Sequence, residues 1–368
     1  FTPVANVGEA SLVKNLNVIA INNLAELVGH LEGKKILKPT VPSEFNFSNA
    51  EILFDMTHIK GQEHVKRAME IAAAGAHNML MSGPPGSGKT LIARTMPSIL
   101  PELTLEEALE LTKIYSVAGE LPANTSLITS RPFRSPHHTA SGVALVGGGT
   151  NPRPGEISLA HRGVLFLDEF AEFPRQVLEN LRQPLEDGVI HVSRAACNIN
   201  FPAKFILIAA TNPCPCGFAG DSEKNCICSP LQTINYKKKI SGPILDRIDL
   251  HIEVPRVKFD KLTSIDNSEK SQIIKERVQQ ARKIQQKRFI NLPFITNSEM
   301  SSEAVKKFCQ LDNISINLMR NAVEQMHLSA RAYFRILKLA RTIADLSNID
   351  KILTQHIAEA LQYRPKAD

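Results

Sequence analysis

The chain has 368 residues and a formal net charge of +6, and it is 43% hydrophobic and 22% charged. This composition is that of an ordinary globular protein of two or three domains. No window reaches the roughly 20 apolar residues that span a bilayer, so we expect a cytoplasmic protein without a membrane partner. The mild positive charge permits nucleic-acid binding without requiring it. The chain starts at Phe1 without a signal peptide, and we expect a shortened form of a longer protein.

Residues 1–45 carry three short patterned segments followed by a linker. The pattern predicts a helix at 8–13, a strand at 17–21 and a second helix at 24–31. A stretch rich in lysine and proline comes next, which is typical of a connection. This piece is too short to bury a core of its own.

Strand and helix patterns alternate from about residue 46 to 257, which predicts a three-layer α/β core on a parallel sheet. Thr104 is expected to be the N-cap of one of its helices. The predicted helices are 62–75, 105–117 and 175–187, the predicted strands are 77–82, 163–167, 204–210 and 249–254, and 189–192 with 199–201 form a predicted β-hairpin.

From about residue 258 to 368 the pattern is almost purely helical. One helix is predicted at 269–289, and two more lie within 313–346. This part of the chain is therefore predicted to be an all-α lid domain.

One motif indicates a chemistry by itself. Residues 83–90 match G-x-x-x-x-G-K-[ST], the phosphate-cradling loop of P-loop NTPases, and they stand between a predicted strand and a predicted helix. In such a loop the backbone N–H groups turn toward the phosphates, Lys89 reaches the β- and γ-phosphates, and the Thr90 hydroxyl holds Mg²⁺. The predicted ATP-binding residues are Gly83, Pro84, Pro85, Gly86, Ser87, Gly88, Lys89, Thr90 and Leu91.

A pair of carboxylates provides the second half of a hydrolysis site. Asp168 and Glu169 follow an apolar strand, at the carboxyl edge where open α/β sheets bind ligands. Asp168 is predicted to help hold Mg²⁺, and Glu169 to orient and polarise the attacking water. Asn212, at the end of the strand 204–210, is predicted to position that water or to contact the γ-phosphate. A cap or turn role for Asn212 is the alternative.

Three arginines are candidates for contacting the γ-phosphate. Arg247 precedes the last predicted strand and is a candidate arginine finger for a neighbouring subunit, and an ion pair with Asp246 or Asp249 is the alternative. Arg331 opens a C-terminal helix and is the better candidate for contact from the lid. Arg335 lies one turn further on the same face.

Four cysteines crowd together after Asn212. Cys214 and Cys216 form one C-x-C pair, and Cys226 and Cys228 form another nine residues later. Four thiolates in two close pairs suit a structural tetrahedral Zn²⁺ with no open position. The more usual spacing is C-x-x-C, and disulfides are the alternative, although a reducing cytosol disfavours them. We predict a zinc-finger insertion at 212–230.

Several further motifs carry a resemblance to a known family. With the nucleotide site, they resemble the magnesium-chelatase-like family of AAA+ ATPases and, within it, the ComM (YifB-type) competence proteins. Residues 1–40 are similar to the end of that family's Lon-protease-like N-terminal domain, and no Ser–Lys protease dyad can be assigned in them. The motifs are R-P-F-R-S-P-H-H at 131–138, V-G-G-G at 146–149, P-R-P-G-E-I-S-L-A-H at 152–161, S-A-R-A-Y-F-R at 329–335 and A-R-T-I-A-D-L at 340–346.

The resemblance implies a homohexameric, ATP-driven DNA motor of the bacterial cytoplasm. Its role would be branch migration in the recombination of DNA taken up during natural transformation, with recombination proteins as further partners. In such motors two insertions face the central channel, here at about 121–162 and 188–203. Basic groups on these loops suit sequence-independent contacts with single-stranded or branched DNA, and packing between subunits is the alternative. The candidate contacts are Arg131, Arg134, His137, His138, Arg153 and Arg194.

Two other functions remain open on the sequence. A magnesium-chelatase subunit would use ATP to remodel a protein partner that inserts Mg²⁺ into a porphyrin. An ATP-dependent protease or unfoldase would fit the Lon-like N-terminal piece. Each of the three readings uses the same ATP site.

Overall fold

The computed structural model describes residues 1–11, 16–40, 53–122, 125, 127–149, 152–194, 197–221, 223–257 and 268–365. The chain divides into two compact units, one formed by 1–50 with 102–130 and the other by 51–101 with 131–368. The predicted helix residues Leu12 and Val13, the predicted boundaries at 46 and 258, and parts of the predicted insertions (123, 124, 126, 150, 151, 195, 196 and 222) lie outside the described residues.

Eleven strands and sixteen α-helices are found in the described residues and are numbered here in chain order. The strands are β1 Thr2–Pro3, β2 Ala20–Ile21, β3 Met79–Ser82, β4 Phe133–Arg134, β5 Gly147–Gly148, β6 Arg153–Pro154, β7 Val164–Leu167, β8 Val189–Arg194, β9 Cys197–Pro202, β10 Ile206–Thr211 and β11 Leu250–Glu253. The helices are α1 Val7–Ala10, α2 Leu24–Leu31, α3 Glu63–Gly75, α4 Lys89–Ile99, α5 Leu105–Ala118, α6 Gly142–Val146, α7 Glu156–Leu159, α8 Arg175–Glu179, α9 Arg182–Asp187, α10 Pro230–Lys237, α11 Gly242–Leu245, α12 Ser271–Arg288, α13 Ser302–Phe308, α14 Asn313–Gln325, α15 Ala330–Leu346 and α16 Thr354–Gln362.

The first unit contains the N-terminal segments and α5. Strands β1 and β2 pair in parallel. Helix α5 begins with a capping box, in which the Thr104 side chain accepts from the Glu107 N–H and the Glu107 carboxylate accepts from the Thr104 N–H. The prediction of Thr104 as an N-cap is therefore confirmed. Leu103, Ala108 and Leu111 form part of a small apolar cluster in this unit.

The second unit is built on a five-stranded, fully parallel sheet in the order β11-β3-β10-β7-β4. The predicted α/β fold with a parallel sheet is confirmed. Strand β10 lies between β3 and β7, and it pairs Ala209 with Leu80 on one side and with Leu167 on the other. The strand ends that follow Ser82, Leu167 and Thr211 consequently meet at one edge of the sheet.

The central strands are buried on both faces, which explains their continuous apolar sequence. Successive side chains point to opposite faces. In β10, Ile206 and Ile208 join the core that contains α3 and α4, whereas Leu207 and Ala209 join the core on the other face with Phe170. This gives the three layers that the sequence predicts.

The predicted hairpin is present as the antiparallel pair β8 and β9, which closes at Arg194 opposite Cys197. The prediction of one helix at 175–187 is wrong, because the structure has two short helices, α8 and α9, in its place. Pro184 is the cause. Proline has no N–H and its ring clashes with the preceding turn, which disfavours it in the interior of a helix but not in the first turn, where α9 places it.

The C-terminal helical region predicted from the sequence is confirmed. Helices α12, α14 and α15 match the three predicted helices, and the Ser329 side chain caps α15 by accepting from the Ala332 N–H. Ile274 and Val278 of α12 and Ile343 of α15 belong to the same core as the sheet and α3. Within the described ranges, no helix has the length and apolar character needed to cross a bilayer.

A buried chain of polar contacts joins the C-terminal helices to the sheet side of this unit. His77 Nε2 lies 2.8 Å from Thr342 Oγ1, which accepts from the Asn297 side-chain amide at 3.0 Å. The Asn297 N–H donates to Gln285 Oε1 at 2.9 Å, and Gln285 Nε2 donates to the Ala74 carbonyl at 3.0 Å. We call these residues the polar network.

Asp249 extends the polar network with a buried ion pair. It is 3% exposed, it pairs with the Arg335 guanidinium at 2.5 Å, and its carboxylate accepts from the Asn78 N–H at 3.1 Å. Burial by itself would raise the pKa of Asp249, but the charges of Arg335 and His77 outweigh it and hold the pKa well below its usual range.

Replacing Asp249 with asparagine is expected to destabilise the chain by about 3 kcal/mol at pH 7, because the partly buried Arg335 then loses its counter-charge. Urea denaturation of wild type and variant measures this. The stabilising contribution is present above the unfolded-state pKa of about 3.9 and is lost as the pH falls through the lower folded-state pKa. The difference between the two proteins should therefore shrink below about pH 4. Asp350→Asn, at an exposed position, is the control, and equal midpoints for the two variants would contradict the anchoring role.

Candidate active site

The phosphate loop (residues 83–90) connects β3 to α4. Gly86 and Gly88 have φ values of +79° and +89°, which L side chains rarely adopt, so this turn requires glycine. Lys89 is buried, and its Nζ donates to the Gly83 carbonyl at 2.6 Å and the Pro84 carbonyl at 3.0 Å. Burial lowers the pKa of Lys89, and the nearby Asp168 carboxylate opposes that shift.

The loop fits a bound phosphate chain. It opens on a cavity of about 300 Å³. Ser87 Oγ is buried with no hydrogen-bond partner among the described residues, as expected of a donor that waits for a ligand. Gln62 holds the loop by donating to the Ser87 carbonyl at 3.2 Å. The first N–H groups of α4 point out of the helix end, where an anion is favoured.

The predicted Mg²⁺ ligands lie side by side. Thr90 Oγ1 donates to Asp168 Oδ2 at 2.8 Å. Mg²⁺ is usually held by one or two protein oxygens together with substrate phosphates and water. A hydroxyl and a carboxylate next to the phosphate loop fit that requirement.

Glu169 follows Asp168 at the end of β7 in a left-handed backbone conformation with φ of +50°. Its side chain is half exposed, and its carboxylate lies 3.0 Å from His138 Nδ1. The sequence assigned His138 to DNA, and nothing in the sequence pattern connects it to Glu169. The contact arises because β4 pairs with β7, which brings the residues after both strands together.

Asn212 follows β10, between the loops that leave β3 and β7. Its Oδ1 accepts from Lys89 Nζ at 3.3 Å. The structure therefore brings five predicted site residues to one edge of the sheet: Lys89, Thr90, Asp168, Glu169 and Asn212. An amide in this position can orient a water beside a γ-phosphate.

Arg247 and Arg331 lie together in a second cluster, on either side of Glu186. Arg247 pairs with one carboxylate oxygen of Glu186 and also donates to the Pro243 carbonyl at 2.7 Å, and Arg331 pairs with the other oxygen at 3.0 Å. Burial would raise the pKa of Glu186, but Arg247 and then Arg331 outweigh it and lower the pKa. Sequence reasoning missed Glu186, since an exposed glutamate on a short helix carries no signal.

Neither arginine of this cluster reaches the phosphate loop in one chain. Across the part of the chain that the structure describes, no hydrogen bond or ion pair joins Arg247 or Arg331 to residues 83–90. Arg335, the other candidate on α15, is held by Asp249 and by the Arg247 carbonyl at 2.8 Å. The position of Arg331, half exposed and paired with an exposed glutamate, leaves it far more able to change partners.

The candidate DNA contacts lie in several environments. The Arg131 guanidinium donates to the carbonyls of Pro101 and Arg162, both at 2.6 Å. Arg134 makes a two-point contact with Glu156, with both distances at 2.7 Å. His137 lies against His138, with their rings tilted and their centroids 4.1 Å apart. Arg153 is exposed on β6, and Arg194 ends β8 with its side chain outside the described residues.

The four cysteines form one compact cluster. The Sγ atoms of Cys214, Cys216, Cys226 and Cys228 all lie within 4.8 Å of one another, and three of the distances are 3.4–3.6 Å. A tetrahedral zinc with Zn–S bonds of about 2.3 Å requires sulfurs about 3.8 Å apart, whereas a disulfide requires about 2.05 Å. The arrangement fits a four-thiolate metal site.

Backbone N–H groups also point at this cluster. The N–H of Ala219 donates to Cys214 Sγ at 3.3 Å, and that of Cys216 donates to Cys228 Sγ at 3.4 Å. Hydrogen bonds from the Phe218 and Ile227 backbone lower the pKa of Cys216 to about 6, whereas burial and the neighbouring thiols raise the pKa of Cys226 and Cys228. Donors of this kind stabilise the thiolate form, which is the form that binds metals.

Comparison with known proteins agrees with this fold. Residues 55–262 match the family described as magnesium chelatase, subunit ChlI, and residues 268–364 match its C-terminal family. The chain therefore belongs to the magnesium-chelatase family, an AAA+-like family whose membership supports ATPase activity with ATP and Mg²⁺ as ligands. The resemblance predicted from the sequence is confirmed.

Its relatives include competence and uncharacterised proteins as well as chelatase subunits. The chain is 46% identical to Competence protein ComM of Haemophilus influenzae, over 98% of this chain and 70% of that protein. It is 42% identical to the Escherichia coli protein YifB, over 98% of this chain and 69% of that protein. The magnesium-chelatase 38 kDa subunit of Rhodobacter capsulatus is 27% identical, over 44% of this chain and 51% of that subunit.

Proposed function

We propose that the chain is the ATPase part of a homohexameric DNA motor that drives branch migration, in the cytoplasm, during the recombination of DNA taken up in natural transformation. The relative named as a competence protein supports a competence-related role. The parts at work would be an α/β core at 46–257, a helical lid at 258–368, and a piece at 1–45 similar to the end of a Lon-protease-like domain.

One observation carries the proposal of a ring. The groups that bind phosphate and activate water lie at the phosphate loop, whereas Arg247 and Arg331 pair with Glu186 and, among the described residues, make no hydrogen bond or ion pair with that loop. Charge that develops on a transferred phosphoryl group is commonly stabilised by an arginine supplied from a partner. A neighbouring subunit that presents its Arg247 and Arg331 to this site would complete it.

The residues of each site have separate tasks in this proposal. Lys89 and the loop N–H groups bind the phosphates, and Thr90 with Asp168 would hold Mg²⁺, which neutralises phosphate charge when bound. Glu169 accepts a proton from the attacking water, and Asn212 orients that water. His138 holds the Glu169 carboxylate through the 3.0 Å contact. Because His138 belongs to the predicted insertion at 121–162, this contact links the water-activating group to that insertion.

The proposed DNA contacts are basic side chains of the two insertions. Exposed Arg153 and the end of the β8–β9 hairpin at Arg194 are the best placed, since Arg131 and Arg134 already bind protein groups. Such contacts would be to phosphates and independent of base sequence. The four cysteines would hold one structural Zn²⁺.

Subunit remodelling in a metal-chelatase complex is a second candidate. It is favoured by the match to the magnesium-chelatase family and by the Rhodobacter capsulatus relative. In that case ATP turnover would respond to a protein partner and not to DNA.

A junction assay tests the motor. We expect single-stranded or branched DNA to raise ATP turnover, and we expect the wild type to migrate three- and four-way junctions while Lys89→Ala does not. The same ATPase measurement without DNA gives the basal rate. The motor proposal is abandoned if DNA neither binds nor raises turnover and Lys89→Ala leaves junction migration unchanged.

Arg153→Gln is expected to weaken DNA binding several-fold and to reduce the slope of log affinity against log salt concentration by about one, because one phosphate contact is lost. Fluorescence anisotropy on a labelled single strand at several salt concentrations measures both quantities. Lys283→Gln, which removes an exposed cation from α12, is the matched control. Equal slopes for the two variants would count against the insertion as the DNA-binding surface.

A further inference from the structure

The cysteine cluster is built directly onto the ATP site. Asn212, which accepts from Lys89, is followed two residues later by Cys214. We call residues 214–228 the cysteine loop. Its contacts lead in two directions, toward the phosphate loop and toward the cavity beside it.

The first contact is between Gly217 and Pro85 of the phosphate loop. A methyl group added at Gly217 would lie 2.6 Å from Pro85 Cδ, too close for any real contact. Gly217 also has a φ of +84°. The cysteine loop thus packs against the phosphate loop at Gly217, with no room for a side chain between them.

The second contact is made by the middle of the cysteine loop on Arg256. The Asp221 carboxylate forms an ion pair with Arg256 Nε at 2.8 Å, and the Asp221 side chain is 1% exposed. The Arg256 guanidinium also lies over the Phe218 ring, 5.6 Å from its centroid. Asp221 is fixed in turn by the N–H groups of Glu223 and Lys224, which donate to it at 2.8 and 3.2 Å.

These contacts place the cysteine loop in the wall of the cavity. The cavity of about 300 Å³ at the phosphate loop is lined by Gly86 and Gly88 of that loop and also by Glu223 and Arg256. Glu223 belongs to the cysteine loop, and Arg256 is positioned by it. One wall of the candidate nucleotide site therefore depends on how the cysteine loop is folded.

We propose that a metal ion bound by Cys214, Cys216, Cys226 and Cys228 holds the cysteine loop against the nucleotide cavity, so that metal loading sets the affinity for nucleotide. The inference rests on the proposed zinc site and extends it from a structural to a regulatory role. The loop contains no helix or strand of its own among its described residues. Metal–thiolate bonds would therefore supply order that secondary structure does not, as in small zinc-bound modules.

The effect on nucleotide affinity depends on the fraction of time that the cysteine loop completes the wall of the cavity. A cavity that is complete for only a fraction of the time binds its ligand more weakly by that fraction. If the metal-free loop holds the bound arrangement about a tenth of the time, the apparent dissociation constant for nucleotide rises about tenfold.

The first experiment measures metal and nucleotide together on the full chain. Zinc is measured by elemental analysis, removed with phenanthroline and restored after buffer exchange. In each state the protein is titrated with a fluorescent ADP analogue in the presence of Mg²⁺. One zinc per chain, a dissociation constant raised about tenfold on stripping and recovery on reloading are expected. A zinc content near zero, or equal dissociation constants for the loaded and stripped chains, would overturn the inference.

The second experiment separates the contact from the metal. Gly217→Ala inserts a methyl group against Pro85, whereas the control Gly220→Ala stands in the same loop with a similar φ of +77° and meets nothing within 4 Å. Both variants keep all four cysteines and should keep zinc. Weaker nucleotide binding by Gly217→Ala alone supports the inference, and equal binding by the two variants contradicts it. Neither titration contains DNA, so the result is independent of whether the motor proposal holds.

Discussion

The Glu169→Gln variant is expected to bind ATP and Mg²⁺ normally and to hydrolyse ATP about a thousandfold more slowly than the wild type. The amide keeps the size of the side chain and can still contact His138, but it cannot accept the proton of the attacking water. Steady-state turnover and titration with a fluorescent ATP analogue separate the two effects, because turnover should fall while the dissociation constant stays the same.

The control for this experiment lies three residues away. Glu172→Gln removes a carboxylate of the same segment that pairs with Lys239 at 2.8 Å, and its turnover should remain close to that of the wild type. If Glu169→Gln retains turnover within twofold of the wild type, another group activates the water and the proposed mechanism fails.

Arg247→Ala is expected to lower ATP turnover by about a thousandfold, the usual effect of losing an arginine finger. A mixture with Lys89→Ala should restore part of the activity. Neither variant alone forms a complete site, but a ring that contains both places an intact Lys89 next to an intact Arg247. Random mixing in equal amounts gives about a quarter of the sites this arrangement in a closed cyclic ring.

The mixing experiment distinguishes a shared site from a site within one chain. Arg182→Ala, on the same short helix as Glu186 and paired with Glu179 at 2.6 Å, controls for the loss of an arginine that pairs with a glutamate. No recovery of turnover in the mixture, across a range of ratios, would contradict the shared site. Because Arg247 is 8% exposed, Arg331→Ala provides a second test with less risk to folding.

The sequence predicted those parts of the site that depend on short stretches of chain. The phosphate loop needs only its glycines, Lys89 and the strand and helix beside it, and the structure has each of these where the pattern places them. The parallel sheet follows from alternating apolar strands and helices. The four cysteines come together because two C-x-C pairs joined by nine residues are close in the chain.

The contacts that depend on tertiary packing could not be predicted from the sequence. His138 contacts Glu169 only because β4 pairs with β7, and neither residue indicates the order of the strands in the sheet. Glu186 pairs with both Arg247 and Arg331, which are distant from it in the sequence. Arg131 and Arg134 looked like loop cations, but folding supplies them with carbonyl and carboxylate partners.

The polar network restricts how this chain can transmit work. To swing the C-terminal helices away from the sheet, the contacts among His77, Thr342, Asn297 and Gln285 would have to break. Each buried polar group left unpaired costs about 1–3 kcal/mol. A hinge inside the second unit is thus disfavoured, and we expect the sheet and its C-terminal helices to move together. In a ring of such subunits, ATP hydrolysis would rotate whole subunits relative to their neighbours. The size of that rotation would be set at the interfaces between chains.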